Sequence, residues 1–382
     1  MDDVLIIGAG PAGLACAACL SRAGLSYRIV ERARTVGASW RRHYDRLHLH
    51  TDRGHSGLPG HPMPRSYPRY PTRDQVVAYL EDYAARLPVA PEFEIAVEGI
   101  ERDAVGAWRV SMTTSAGETA SATAKAVIVA TGYCEEPIVP RWPGIDDFAG
   151  EVVHSSHYRN GAPFKDRAVL VVGFGNSGGE IALDLAEHGA RPILSVRGPV
   201  NAVPRDVLGI PILTLSILLR PIPTRIADAL GAPLRLMTVG RLDRLGLEPA
   251  PYGPLTQIRH EGRIPLLDVG TLGAIRDGRI AVRPDIDRFA ANTVRFADGR
   301  EDGVDAVVLA TGYRPRLAAL IDETAGALDA DGRPKARGGQ AAAPGLYFCG
   351  FHVAPTGMLR EIGIEARAIA AAIARDRLQR AA

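Results

Sequence analysis

Val4-Leu5-Ile6-Ile7-Gly8-Ala9-Gly10-Pro11-Ala12-Gly13 decides the fold of this chain. The first four residues form an apolar run suited to a strand buried on both faces. Leu14 to Ala23 follows as a helix rich in Ala and Leu, and Tyr27 to Val30 as a second strand. Glu31 stands just past that strand, about 20 residues beyond the glycines. Strand, glycine turn, helix, strand and acid, in that order, mark a dinucleotide-binding unit. Gly8 allows the tight turn, Gly10 lets backbone approach a pyrophosphate, and Gly13 lets helix pack on strand. The helix N-terminus offers free N–H groups and partial positive charge to phosphates, while Glu31 accepts hydrogen bonds from a ribose.

The pattern returns halfway along. Val169-Leu170-Val171-Val172 reads as a buried strand, followed by Gly173-Phe174-Gly175-Asn176-Ser177-Gly178, a helix from Gly179 to Glu187 and a strand from Pro192 to Val196. At the ribose position stands Ser195-Val196-Arg197, with no carboxylate. An arginine there suits a 2′-phosphate and favours NADPH over NADH. Two units with different ribose chemistry imply two dinucleotides, and the N-terminal position is the usual one for FAD. A flavin beside a nicotinamide implies hydride transfer from NADPH to FAD. Strand plus Ala-Thr-Gly-Tyr also occurs twice, at 130–133 and 310–313, each a glycine break where the chain leaves a nucleotide unit. The predicted architecture is therefore α/β, with two Rossmann-like domains. A three-layer ββα, glutathione-reductase-like FAD domain is expected over 1–163 and 303–382, with an NADPH domain inserted at 164–302.

Composition narrows the class. With 382 residues, 46% hydrophobic and 23% charged, the chain can fill two cores. A net charge of +2 with no basic tract argues against a nucleic-acid partner. Four cysteines imply no disulfide framework and a reducing compartment, and Met1-Asp2-Asp3 runs straight into the first strand without a secretory leader. A cytoplasmic location is expected. Cys16 and Cys19 read as small residues inside the first helix rather than as a redox pair. The longest apolar stretch, Ile210 to Leu219, falls short of the about 20 residues that span a bilayer and is read as core or tunnel wall. His43, His48, His55 and His61 lack a metal-ligand spacing, and no metal is expected. Arg34 to Arg46 reads as a polar loop, Leu47 to Thr51 alternates like a strand, and Gly54 to Pro71 reads as an irregular, lid-like loop. Thr72 caps a helix over Arg73 to Leu87, and a last helix runs from Ile362 to Leu378.

Phe148-Ala149-Gly150-Glu151-Val152-Val153-His154-Ser155-Ser156-His157-Tyr158 matches F-x-G-x-x-x-H-x-x-x-Y. With the two glycine turns it resembles the class B flavin monooxygenases. Tyr158, where Baeyer–Villiger relatives carry Trp, tilts the resemblance to the flavin-containing monooxygenase side. Tyr44-Asp45-Arg46-Leu47-His48-Leu49-His50-Thr51, Val203-Pro204-Arg205 and Leu267-Asp268-Val269-Gly270-Thr271-Leu272 are similar to the YUCCA branch, whose plant members decarboxylate indole-3-pyruvate oxidatively. His50 stands where flavin-containing monooxygenases place an Asn. Arg360 and Glu361 depart from the plant pattern and bring charge near the expected flavin.

The resemblance implies an NADPH- and O2-dependent enzyme that forms a flavin C4a-(hydro)peroxide and oxygenates a small organic substrate. The reaction is decarboxylation of a 2-oxo acid, N- or S-oxygenation, or Baeyer–Villiger oxidation, set by the proton supply of the site. It puts FAD against Gly8, Gly10, Pro11, Ala12, Gly13, Glu31, Arg32, Trp40, His50, Thr51, Val97, Thr131, Gly132, Gly350 and Met358. NADPH falls against Gly173, Gly175, Asn176, Ser177, Gly178, Arg197, Thr311 and Gly312. His50 and His154 are the candidate catalytic side chains, His154 chiefly for positioning. A homodimer is left open as the assembly. Two rival readings remain: an NADPH oxidase or flavin reductase that oxygenates nothing, and a non-enzymatic NADPH sensor.

Overall fold

The computed structural model describes residues 2–321 and 326–381. The opening strand, Asp2–Ile7, lies between two parallel neighbours, Arg28–Val30 and Thr119–Val129. Val4 to Ile6 are fully buried, as an apolar strand covered on both faces requires. The long Thr119–Val129 strand has two uses. Its first half joins an antiparallel meander with Ile95–Arg102 and Trp108–Thr114, and its second half continues the parallel sheet. Leu346–Phe348 then returns from far along the chain to pair with Val127–Val129. The first sheet is thus assembled from both ends of the sequence.

The second sheet is wholly parallel, in the order Ala281–Arg283, Arg191–Ser195, Ala168–Val172, Ala306–Leu309, Glu151–His154. Strands 151–154 and 306–309 lie on either side of the 164–302 segment expected to form the NADPH unit, so the sheet is wider than that segment. Neither of these two strands carries a glycine fingerprint of its own, so their allegiance is not visible in the sequence.

Both glycine-turn helices begin earlier than their apolar pattern suggests, at Pro11 and Asn176. Proline at the first helical position fits, since its missing N–H has no intrahelical partner there. Gly13 and Gly178 therefore lie within the helices. A Cβ on either would sit 1.8 Å from Gly8 O or 2.0 Å from Gly173 O, so only glycine permits these approaches. Thr72 and Gln75 form a capping box that starts the helix Arg73–Ala85. The last helix, Met358–Ala381, also starts earlier than expected and packs Ile362, Ala366 and Ile369 into the first core.

Two local expectations fail. Residues 47–51 form no strand, because the facing segment turns into a helix at Arg73 and leaves a single bridge between His48 and Thr72. The 34–46 loop contains a short helix, Ala38–Arg41, entered through left-handed Gly37. From this region Trp40 packs against the cores of both sheets, and Tyr44 and Leu47 are buried in the second.

The glycine geometry separates two kinds of variant. Gly13→Ala and Gly178→Ala are expected to destabilise the cofactor-free protein by about 1–3 kcal/mol or more in denaturant titration. Gly10→Ala and Gly175→Ala, whose Cβ would meet nothing within 4 Å, are expected to leave that stability unchanged. Equal losses in all four would contradict this packing.

Candidate active site

One cavity of about 630 Å³ runs from the first glycine turn to segments beside the second. Gly8, Gly10, Pro11, Ala12, Glu31, Arg32, Trp40, His50, Thr51, Val97, Thr131, Gly132, Gly350 and Met358 all line it. Of the residues expected around FAD, only Gly13 is off the wall, buried beneath the turn. Of those expected around NADPH, only Asn176 reaches this cavity. Its Oδ1 accepts the Leu267 N–H at 2.7 Å, tying the helix start to the strand Leu266–Asp268. Arg197 instead lines a second recess of about 810 Å³ with Arg241, Arg244 and Arg276. Glu248 and Asp298 also line this recess, but among the described residues no carboxylate lies within 4 Å of Arg197, Arg244 or Arg276.

The residues fit a bound dinucleotide. Neither Gly10 nor Gly175, at the helix N-caps, is followed by a side-chain cap, and space stands open at both. Uncapped N–H groups facing open space make a site for an anion. The Thr131 hydroxyl is buried on the wall with no hydrogen-bond partner among the described residues, a cost that a polar ligand atom relieves. Glu31 receives the Ala9 N–H at 2.7 Å and the Ala33 N–H at 2.9 Å. A carboxylate has about four lone-pair sites, so capacity remains for ribose hydroxyls.

The family-like motif proves to be a seam. Phe148 packs edge-on to Phe289, and Gly150 passes so close to Asp305 O that a Cβ would stand 2.6 Å away. His154 Nδ1 accepts the Ser156 N–H at 3.1 Å, so Nε2 carries the proton and donates to Gly312 O at 3.2 Å. Burial pushes its pKa down, which keeps it neutral. His154 does not line the cavity, and its geometry is that of a brace. Tyr158 donates to buried Asp184 at 2.6 Å, and Asp184 also accepts the Gly161 N–H at 2.8 Å. Thr311 likewise stays off the wall, its hydroxyl spent on Ile138 O. The two Ala-Thr-Gly-Tyr repeats share left-handed glycines, with φ of +87° at Gly132 and +86° at Gly312, but only the first faces the cavity.

Sequence reading missed Glu180, one turn before Asp184 on the helix Asn176–Glu187. Both acids are buried. Glu180 bonds to His50 Nε2 and accepts the Tyr44 hydroxyl at 3.2 Å. Burial alone pulls the His50 pKa down, but the Glu180 carboxylate outweighs it and the net shift is upward. His43, also on the wall, is pushed down to about 4, by burial first and by Arg42, Arg159 and Arg73 in addition. The available signal was a pair of carboxylates at i, i+4 among Ile181, Leu183 and Leu185, on a helix too apolar to be a solvated face. Arg360 and Glu361, expected to charge the flavin side, are turned away. They pair at 3.0 Å, Glu361 also bonds to Thr356, and neither lines the cavity.

The flavin-binding monooxygenase-like family model matches residues 1–325, and the chain belongs to that family. It is 40% identical over 356 residues to the rice indole-3-pyruvate monooxygenase YUCCA1, covering 92% of this chain and 87% of that one. It is 41% identical over 356 residues to the Arabidopsis thaliana indole-3-pyruvate monooxygenase YUCCA6, covering 91% and 85%. A solved flavin monooxygenase from Stenotrophomonas maltophilia, a double mutant, superposes with TM-score 0.74 at 28% identity over 99% of this chain and 100% of that one. A cyclohexanone monooxygenase shares the fold, with TM-score 0.74 at 19% identity over 99% of this chain and 88% of that one. The protein is an FAD- and NADPH-dependent monooxygenase acting on a small substrate. No helix among the described residues is long and apolar enough to cross a membrane.

The His50–Glu180 pair sets a pH dependence. A histidine whose folded pKa is raised contributes stability that is complete below its unfolded value, about 6.5, and fades as pH climbs through the folded value. Glu180→Gln is expected to cost about 3–5 kcal/mol near pH 6 and clearly less at pH 9. A difference independent of pH in matched denaturation curves would contradict the pairing.

Proposed function

We propose that this enzyme oxidatively decarboxylates a 2-oxo acid carrying an apolar aromatic group. The observation that carries the proposal is the shared cavity, in which the glycine-turn residues and the apolar segments from Val203 to Leu267 face one space. Identity of about 40% to indole-3-pyruvate monooxygenases along most of the chain supports the same substrate class. In balance, 2-oxo acid, O2, NADPH and a proton give the shortened acid, CO2, water and NADP⁺.

In this reading residues 1–163 and 303–382, apart from strands 151–154 and 306–309 that join the second sheet, build the FAD unit, and 164–302 supplies the NADPH fingerprint. The N–H groups after Gly10 receive the FAD pyrophosphate and Glu31 its ribose. Arg32, whose guanidinium is held 2.7 Å from Glu135, borders the same end. Trp40, Thr51, Val97, Thr131, Gly132, Gly350 and Met358 enclose the ring system and keep water away. The N–H groups after Gly175, with Asn176 and Ser177, receive the NADPH pyrophosphate, and Arg197 takes the 2′-phosphate. FAD, once reduced by NADPH, supplies the activation of oxygen.

The chain's own part is to withhold protons, because transfer of oxygen to a carbonyl carbon needs an unprotonated oxygen nucleophile. His43 is neutral at physiological pH and Glu31 is bound by backbone, while His50, whose pKa Glu180 raises, has its Nε2 proton held on that carboxylate. A cytoplasmic location is part of the proposal, supported by four unbridged cysteines.

Two measurements test this. Incubation with indole-3-pyruvate, NADPH and O2 is expected to yield CO2 and indole-3-acetate in step with NADPH oxidation. Hydrogen peroxide equal to the NADPH consumed, with no acid formed, would make the protein an oxidase instead. Arg197→Ala is expected to raise the KM for NADPH roughly 10- to 100-fold, the loss of one charge-assisted contact, with little effect on NADH. Equal effects on both would refute the assignment.

A further inference from the structure

Among the described residues Arg235 is one of three arginines on the cavity wall, with Arg42 and Arg316, that no carboxylate pairs, and the one whose guanidinium is held by a built support. It lies on the helix Thr224–Thr238, whose Ala227, Gly231, Leu234, Arg235 and Thr238 line the cavity at helical spacing. Around them the wall is apolar, with Leu219, Leu255, Ile258 and Ile264. One guanidinium nitrogen donates to Asn201 Oδ1 at 3.2 Å. Among the described residues no carboxylate lies within 4 Å of Arg235. Asp228, two turns earlier on the same helix and also on the wall, has both oxygens occupied. They cap the helix Pro254–Glu261, accepting the Leu255 N–H at 2.9 Å, the Thr256 N–H at 2.8 Å and the Thr256 hydroxyl at 2.6 Å.

The support beneath Arg235 is built. Asn201 is 6% exposed, and its amide nitrogen donates to Tyr252 O at 2.8 Å and to Gln257 Oε1 at 2.9 Å. Gln257 is itself buried, its amide nitrogen directed at Arg263 O at 3.3 Å. Both Asn201 amide hydrogens are therefore committed, which fixes its oxygen toward the guanidinium. This neutral network orients a charge without neutralising it. Arginine has five N–H donors in a planar fork matched to a carboxylate, and one contact here leaves the others to a ligand. A half-buried cation in an apolar wall is costly unless an anion arrives to pair with it.

We propose that Arg235 anchors the carboxylate of the substrate, with Asn201 as its positioning residue, so that the cavity selects organic anions with an apolar body. This rests on the proposed 2-oxo acid chemistry and names the group that recognises it. It is tested on the flavin-loaded enzyme by the steady-state KM for indole-3-pyruvate and by the rise in unfolding temperature that this acid and its methyl ester, which cannot lose CO2, each give. Wild type is expected to prefer the acid. Arg235→Gln is expected to raise the KM for the acid about 10- to 100-fold, to abolish its thermal shift, and to leave the ester and the rate of flavin reduction by NADPH unchanged. Arg235→Lys is expected to restore part of the preference, and Asn201→Leu to weaken it with the charge retained.

Acid binding that depends on Arg235 without turnover would sink the decarboxylation and keep the anchor. Turnover of the acid with an unaltered KM in Arg235→Gln would sink the anchor and keep the decarboxylation. A wild type without preference for the acid, or a variant that loses NADPH affinity instead, would also overturn the anchor.

Discussion

Two carboxylates one helical turn apart, Glu180 and Asp184, lie buried where loops of the first sheet meet the helix of the second. Burying an unpaired carboxylate costs several kcal/mol, so each must be fully met by partners. The partners come from elsewhere in the chain. Tyr44 and His50 reach Glu180, and Tyr158 with the Gly161 N–H reach Asp184. The helix that carries the second glycine turn is thereby fastened to the loop that carries Trp40 and His50. The relative position of the two nucleotide units follows from meeting that demand.

From this fastening the cavity acquires its shape. Its polar end is backbone, with the uncapped helix N-terminus after Gly10, left-handed Gly132, and Gly8, where a Cβ would stand 2.6 Å from Ala130 O. Its far wall is apolar and contributed by residues 203 to 267. Of the titratable groups on its wall, Glu31 and Asp228 are committed to backbone N–H groups, His50 to Glu180, and His43 is held neutral. Such a site can host a reactive oxygen species that water and loose protons would destroy. Family membership and the geometry meet here, since the fold alone serves many chemistries and the site decides among them.

Much of this was legible in residue order. Glycines at fixed offsets between apolar strands dictate local structure through hard sterics, so both dinucleotide units are visible without coordinates. His50 was singled out for its place in the loop and does face the cavity. What could not be read is long-range pairing. Glu180 and Asp184 resemble any helix acids until Tyr44 and Tyr158 are brought beside them. Arg235 resembles a surface arginine on an amphipathic helix until the apolar wall closes around it. Strands 151–154 and 306–309 carry no local mark of which sheet they join, and residues 47–51 alternate like a strand but find no continuous partner.

The central claim is that one cavity brings a flavin and a nicotinamide within reach of each other so that electrons pass on to oxygen. Anaerobic titration of the yellow holoprotein with NADPH tests it most directly. The account predicts that the flavin absorbance bleaches fully at one equivalent of NADPH and returns when oxygen is admitted. A flavin that stays oxidised under excess NADPH would contradict it.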